Sequence, residues 1–105
     1  MKFSKQVLKL TRKIPRGKVT TYSEMARALG NPKASRAVGN ALNRNKLPDL
    51  IPCYRVVRSD GSVGGYASGA KEKIRRLRRD GIGIEKGKVN LEKHFHSFRK
   101  GQHDF

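Results

Sequence analysis

The segment TYSEMARALGNPKASRAVGNALN, residues 21–43, decides the fold of this chain. Thr21 and Glu24 form the pattern of a capping box, in which each side chain accepts a hydrogen bond from the other residue's backbone N–H. The pattern predicts one helix that begins beside Thr21 and ends at Gly30, and a second helix from Ser35 to about Asn43. Two short helices joined by a tight turn form a helix-turn-helix, which places its second helix in a DNA groove.

The polar side chains of the second predicted helix are the candidate DNA contacts. Its apolar residues are Val38 and Leu42. The polar residues that can reach a duplex are Arg36, Asn40, Asn43 and Arg44. Many small helical proteins use such a helix pair for packing alone, so the motif by itself leaves DNA binding open.

The rest of the chain predicts a mostly α-helical domain with a short β-hairpin. Apolar residues at helical spacing predict a helix from Phe3 to Ile14 and another from Lys71 to Asp80. The turn pair Asp60-Gly61 predicts a small hairpin. We assign residues 1–81 to this domain and residues 82–105 to a basic extension whose structure the sequence leaves open.

The helix predicted from Lys71 to Asp80 has a narrow apolar stripe, Ile74 and Leu77. We expect its lysines and arginines, Lys73 among them, to surround this stripe and to be solvated. Next to a DNA-binding helix, such a basic face would extend the positive surface.

The charge of the chain indicates a polyanionic partner. Its 105 residues include 25 Lys plus Arg against 8 Asp plus Glu, which gives a formal net charge of +17. A field of this sign attracts polyanions, most often nucleic acid. Ribosomal and chromatin proteins share such a charge but tend to have it in low-complexity runs, whereas here the basic residues are spread through periodic segments.

The sequence predicts a cytoplasmic protein with no membrane partner. No stretch is long and apolar enough to span a bilayer, and the first residues lack the apolar block of a signal peptide. The single cysteine excludes an internal disulfide, and a free thiol persists in the reducing cytoplasm.

The single cysteine, Cys53, lies in the most apolar segment, residues 50–57, and a glycine-rich loop follows at residues 64–69. A lone cysteine in an apolar run is most often a buried structural residue, so composition alone does not make Cys53 reactive. The loop lacks the lysine and the spacing of a phosphate-binding fingerprint. Its glycines instead allow backbone amides to approach a flat ligand.

Three histidines, His94, His96 and His103, are the residues most suited to a metal. A His-x-His pair needs a further ligand at matching spacing, and the sequence offers none. We predict no metal and no cofactor.

The segments IPRGKVTTYSEMARALGNPKASRAVGNALNRN, residues 14–45, and IPCYRVVRSDGSVGGYASG, residues 51–69, resemble the active domain of the O6-alkylguanine-DNA alkyltransferases. The resemblance runs from Ile14 to Gly81 and has the helix-turn-helix, the Pro-Cys-x-Arg-Val site and the Gly-Gly-Tyr loop in the family's order. It implies the helix-turn-helix, winged-helix-like fold of the DNA-binding C-terminal domain of these proteins. We expect the family's usual N-terminal domain to be absent.

The resemblance implies repair of double-stranded DNA, in which Cys53 accepts the alkyl group from O6 of guanine after the nucleotide is flipped out of the duplex. The catalytic group would comprise Cys53, Tyr54, Asp80 and Asn45. The base pocket would comprise Tyr22, Leu42, Val56, Tyr66 and Ala67. The DNA contacts would comprise Ser35, Arg36, Ala37, Gly39, Asn43 and Arg55.

Several of these implied roles are specific. Tyr22 would press on the phosphate beside the lesion, and Arg36 would fill the gap that the flipped nucleotide leaves. The carbonyls of Cys53 and Val56 would read the guanine amino group, and the amide of Ala67 would donate to O6.

Tyr54 departs from the family pattern, which has a histidine here that passes the thiol proton through a water toward a glutamate. Asp80 takes the place of that glutamate. A phenol has a pKa of about 10 and is a poor base at neutral pH, and general-base assistance contributes about 10² to 10⁴-fold. An unassisted thiol with a pKa of about 8.5 is still partly ionised at neutral pH. The substitution therefore predicts slower transfer rather than none.

Two other functions remain open. Alkyltransferase-like proteins bind the lesion and hand it to another repair pathway, but they typically replace the cysteine, which is present here. A helix-turn-helix transcription regulator would select one duplex sequence and needs a dimer interface, for which the chain has no spare apolar helix. We favour a monomeric alkyltransferase that acts on DNA containing alkylated guanine.

Overall fold

The computed structural model describes residues 2–47 and 49–98, which form a mostly helical domain with short strands, as predicted. The helices are α1 (Phe3–Thr11), α2 (Tyr22–Ala28), α3 (Ser35–Asn43), α4 (Ala70–Arg79) and α5 (Leu91–His94). The strands are β1 (Thr20–Thr21), β2 (Val56–Val57), β3 (Ile84–Glu85) and β4 (Lys88–Val89).

The helix-turn-helix predicted from residues 21–43 forms the centre of the hydrophobic core. Helix α2 contributes Met25 and α3 contributes Val38, and α1 packs on them with Val7 and Leu10. All four side chains are fully buried. Burying an apolar side chain of this size contributes about 1.5–3 kcal/mol relative to leaving it exposed. The three helices are therefore held together mainly by this shared apolar surface.

Helix α1 is shorter than predicted. It ends at Thr11, and the N–H groups of Lys13 and Ile14 bond to carbonyls three residues back, which tightens the chain into turns. The Ile14 side chain is nevertheless buried in the same core, as its apolar spacing indicated.

The capping box at the start of α2 is half formed. The Thr21 hydroxyl accepts a hydrogen bond from the Glu24 N–H at 3.1 Å, as predicted. The Glu24 carboxylate does not return to Thr21. It instead accepts hydrogen bonds from the Arg27 guanidinium and from the backbone N–H of Phe98, the latter at 2.8 Å.

The hairpin predicted at Asp60-Gly61 does not form there. Strand β2, which precedes that turn, pairs in parallel with β1, so that Thr20 lies opposite Val56. Both strands are buried, and the apolar pair Val56-Val57 suits a buried parallel strand, in which apolar residues need not alternate with polar ones. The hairpin of the structure is β3–β4, beyond the segment where it was predicted.

Residues 82–98 pack on the domain. Ile82, Val89 and Phe98 are buried. The segment before Phe98 runs beside Val19, which donates a backbone hydrogen bond to it at 2.9 Å and accepts one from it at 2.7 Å. The described part of the basic extension therefore completes the core.

We expect Glu24→Gln to lower the free energy of unfolding by about 1–2 kcal/mol, because hydrogen bonds to a charged group contribute about 1.5–3 kcal/mol and the amide keeps only one acceptor oxygen. The Arg27 hydrogen bond is the main cause that lowers the pKa of Glu24. The difference between the two proteins should therefore be present at neutral pH and disappear as the pH falls through this lowered pKa.

Urea unfolding at neutral and acidic pH measures this difference. The matched control is Glu92→Gln, which changes an exposed carboxylate on α5. Equal losses of stability in the two variants would contradict a role for Glu24 in holding residues 82–98 on the domain.

Candidate active site around Cys53

Cys53 lies in a single 3₁₀ turn, Cys53–Arg55, between the loop after α3 and strand β2. Its N–H donates to the Ile51 carbonyl at 2.8 Å, and the Arg55 N–H donates to the Pro52 carbonyl at 3.0 Å. The residue is 7% exposed, so protein encloses it almost completely.

Asn45 is the hydrogen-bond donor to the sulfur. Its Nδ2 lies 3.4 Å from Sγ of Cys53 and 3.0 Å from the carbonyl oxygen of Ile51. Its Oδ1 accepts from the Leu47 N–H at 2.9 Å, which directs the amino group toward the sulfur. An N–H donor stabilises a thiolate more than a thiol. Asn45 therefore holds the turn and directs an N–H donor at the sulfur.

Four of the five predicted pocket residues belong to the apolar cluster that contains Cys53 or pack against it. They are Leu42, Val56, Tyr22 and Tyr66. The hydroxyl oxygen of Tyr66 is buried and has no hydrogen-bond partner among the described residues. A buried hydroxyl without a partner is costly unless water or a ligand forms the missing hydrogen bond. Ala67 follows Tyr66 in the glycine-rich loop and is exposed.

Two glycines lie against Tyr22. A Cβ at Gly39 would lie 3.8 Å from the ring, and a Cβ at Gly64, whose φ is +74°, would lie 3.4 Å from the hydroxyl. Helix α3 and the glycine-rich loop therefore enclose the ring from two sides. The pKa of Tyr22 is raised, mainly because burial penalises the phenolate, so the hydroxyl remains a neutral donor.

Tyr54 and Asp80, which the resemblance places at the positions of a histidine and a glutamate, contact each other directly. The Tyr54 hydroxyl donates to Oδ2 of Asp80 at 2.7 Å. The carboxylate is 1% exposed and also meets the guanidinium groups of Arg55 at 3.3 Å and Arg16 at 3.4 Å. The phenol is thus a donor in a fixed ion-pair network, not a base directed at the thiol.

The structure does not place Arg55 with the other predicted DNA contacts. Its Nη1 donates to the Ile14 carbonyl at 2.9 Å, and its Nε donates to Asp80. The side chain is 15% exposed and lines a cleft with Arg12 and Arg76. The family resemblance implied a DNA contact for Arg55, whereas in this structure the guanidinium pairs with a buried carboxylate.

The remaining predicted DNA contacts lie together on α3. The exposed ones are Arg36, Ala37 and Asn43, and the half-buried ones are Ser35 and Gly39. Beside them, a groove is lined by Tyr22, Ser35 and Arg58. The exposed face of α3 and this groove are therefore adjacent to the tyrosine that packs against the Cys53 cluster.

Lys73, expected on a solvated helix face, is fully buried. Its Nζ donates to the carbonyls of Val56 at 2.7 Å and Gly65 at 3.0 Å, and it lies 3.5 Å from the Tyr22 hydroxyl. Burial lowers the pKa of Lys73 to about 8, although attraction to the charge of Cys53 opposes the shift. The expectation was wrong because a lysine in a basic helix has no local signal that distant carbonyls will enclose it.

Residues 2–47 and 49–98 contain no group of three His, Cys, Asp or Glu side chains placed to hold a metal ion. His94 and His96 lie beside Val19, and burial lowers the pKa of His96. The third candidate, His103, lies outside the described residues. Within the described ranges, no helix is long and apolar enough to cross a membrane.

The fold and the site define a helix-turn-helix protein with an enclosed cysteine. The chain belongs to the family described as 6-O-methylguanine DNA methyltransferase, DNA binding domain, whose model matches residues 2–82. It is 55% identical over 86 residues to a bifunctional methyltransferase/endonuclease of Picrophilus torridus. It is 48% identical over 84 residues to a methylated-DNA–protein-cysteine methyltransferase of Methanothermobacter thermautotrophicus. These matches span 81% and 79% of this chain but only 29% and 46% of the relatives.

Solved structures share the fold. Atl1 of S. pombe, in complex with damaged DNA containing O6-carboxymethylguanine, matches with a TM-score of 0.83 and 30% identity over 91% of this chain and 95% of Atl1. The O6-methylguanine-DNA methyltransferase of Pyrococcus kodakaraensis matches with a TM-score of 0.70 and 43% identity, over 78% of this chain and 47% of that protein. The family and fold recognised from the sequence are therefore confirmed.

We expect Asn45→Asp to slow the reaction of Cys53 with iodoacetamide at neutral pH by about tenfold or more. The substitution removes a hydrogen bond that contributes about 1 kcal/mol and places a negative charge beside the sulfur. The remaining oxygen still accepts from Leu47, so this part of the turn is preserved. Mass spectrometry of the intact protein over time gives the rate.

The matched control is Tyr54→Phe, which removes the hydroxyl bound to Asp80. It should react within about twofold of the wild-type rate, since Asp80 keeps its ion pairs with Arg55 and Arg16 and these hold the turn. A Tyr54→Phe protein as slow as Asn45→Asp would show that the phenol acts on the sulfur.

Proposed function

We propose that this protein repairs DNA by transferring the alkyl group of O6-alkylguanine to Cys53. The observation that supports this most directly is the enclosed sulfur, which accepts a hydrogen bond from Asn45 beside Tyr22 and Tyr66. Relatives named methylated-DNA–protein-cysteine methyltransferases support the same class of reaction.

In the proposed step, the Cys53 thiolate attacks the alkyl carbon as a nucleophile. A bond forms between Sγ and that carbon, the bond between the carbon and O6 breaks, and its electron pair passes to the guanine. The guanine takes up a proton and is restored, and Cys53 becomes a neutral thioether. The step balances without a cofactor, and each protein molecule acts once.

The alkyl carbon is accessible only when the nucleotide leaves the base stack, which costs a few kcal/mol. The exposed Arg36 would occupy the vacated space, as inserted side chains do in other proteins that distort DNA. Tyr22 would press on the neighbouring phosphate, and Arg58 lines the same groove. The net charge of +17 supplies attraction to DNA of any sequence, which suits a search for damage.

Backbone groups around the site would read the flipped base. The carbonyls of Cys53 and Val56 would accept from the guanine amino group, and the amide of Ala67 would donate to O6. The Val56 carbonyl already accepts from Lys73, but a carbonyl has two lone pairs and can bind a second donor. The buried Tyr66 hydroxyl, unpartnered in the described part of the chain, is a further candidate contact.

A second candidate function is a sensor that binds O6-alkylguanine and recruits another repair protein without transfer. Two observations favour it: the match covers 95% of Atl1, and the hydroxyl of Tyr54 donates to Asp80 where the family has a histidine. The free cysteine favours the enzyme. In both cases the partner is DNA containing alkylated guanine.

We expect incubation with a duplex containing one O6-methylguanine to increase the mass of the intact protein by one CH₂ unit. Cys53→Ala should bind the duplex without gaining mass. If the wild-type protein gains no mass but still binds the lesion-containing duplex preferentially, alkyl transfer is refuted and the sensor function is supported. Binding selected by duplex sequence instead of by the lesion would contradict both functions.

We expect Arg36→Lys to reduce the preference for the lesion-containing duplex over the undamaged duplex by about tenfold, because a lysine keeps the charge but fills a base gap poorly. Binding to undamaged DNA and its dependence on salt should change little. Fluorescence anisotropy with both duplexes measures the ratio, and Arg44→Lys, an exposed residue just after α3, is the matched control. An unchanged preference would show that Arg36 only contacts phosphate.

A further inference from the structure

Lys73 on α4 joins three parts of the site through one buried amine. Its Nζ donates to the Val56 carbonyl, on the strand that follows the Cys53 turn, at 2.7 Å. It donates to the Gly65 carbonyl, in the glycine-rich loop, at 3.0 Å, and lies 3.5 Å from the Tyr22 hydroxyl at the start of α2. A lysine is almost never fully buried without partners, and these oxygens are the partners here.

We propose that Lys73 is a positioning residue of the alkyl-transfer site: its ammonium group ties β2, the glycine-rich loop and Tyr22 together, and the pocket keeps its shape only while this group is charged. Hydrogen bonds from a charged donor are roughly twice as strong as neutral ones. Loss of the proton therefore weakens every contact of the amine at once. The expected effect on alkyl transfer from DNA rests on the proposed function. The dependence of the pocket's shape on the charge of Lys73 does not.

The groups that face Lys73 set the pH at which its charge is lost. Burial lowers its pKa to about 8, the charge of Cys53 opposes this shift, and Arg58 adds to it. The pKa of Tyr22 is raised by burial, so the phenol titrates at a higher pH than the amine. Lys73 is thus charged at neutral pH and loses its charge in the range where a thiol becomes ionised.

The first test uses the protein without DNA, in a Cys53→Ser variant that removes the only thiol. NMR signals of the Gly65 amide and of the Lys73 Cε should move together, with a midpoint near or just below the pKa of about 8. The added substitution Lys73→Met should abolish the amide transition, whereas Lys71→Met, an exposed lysine of the same helix, should preserve it.

An amide transition that persists in Lys73→Met, or a Gly65 amide that does not follow the Lys73 Cε signal, would overturn the proposal. The Cε signal identifies the titrating group by itself, so this test stands even where Lys73→Met does not fold.

The second test measures the rate of a single methyl transfer from the O6-methylguanine duplex across the same pH range. The wild-type rate should rise as the thiol ionises and fall above the pKa of about 8. Lys73→Met should be slower by about tenfold or more at neutral pH, because small displacements of reacting groups are costly, and its rate should not fall at high pH. Lys71→Met should keep the wild-type profile.

The possible failures are distinguishable. A wild-type rate that rises steadily through high pH would refute the positioning role while leaving transfer intact. A protein that transfers no methyl group at any pH would refute the proposed function, and the NMR titration would then decide on Lys73 alone.

Discussion

The buried carboxylate of Asp80 is the contact on which the arrangement around Cys53 depends. At 1% exposure, its charge would be costly without partners, and Tyr54 and Arg55 supply them from the turn that contains Cys53. Arg55 also donates to the Ile14 carbonyl, so the end of α4, the Cys53 turn and the segment after α1 meet at one point. Removing the carboxylate would leave a guanidinium unpaired inside the protein, so the network acts as a unit.

Local chemistry explains which parts of the fold were predictable. The Thr21 cap and the apolar spacing of residues 21–43 specify α2 and α3 without reference to the rest of the chain. Asp60-Gly61 indicates a turn, but a turn does not tell which strand its flanks pair with. Val56 and Val57 pair with β1, a distant segment, so the hairpin was placed wrongly.

The residues of the candidate site were likewise predictable only in part from the sequence. Cys53 became a candidate nucleophile only through the resemblance to a family, because composition alone favours a structural cysteine. Arg55 and Lys73 have the residue types of a solvated basic surface, yet each has its partners inside the protein. Those partners come from elements far apart in the sequence, and no periodicity in one helix or turn shows how such elements meet.

The parallel pairing of β1 with β2 also bears on the order in which the chain folds. Contacts between distant segments form late, since closing the intervening loop costs entropy before the pairing stabilises it. Helices α2 and α3 lie within that loop and can form from nearby contacts, whereas the Cys53 turn is fixed only when β2 reaches β1. We therefore expect the thiol to be enclosed only after this pairing has formed, and until then to be as open to oxidation as an exposed cysteine.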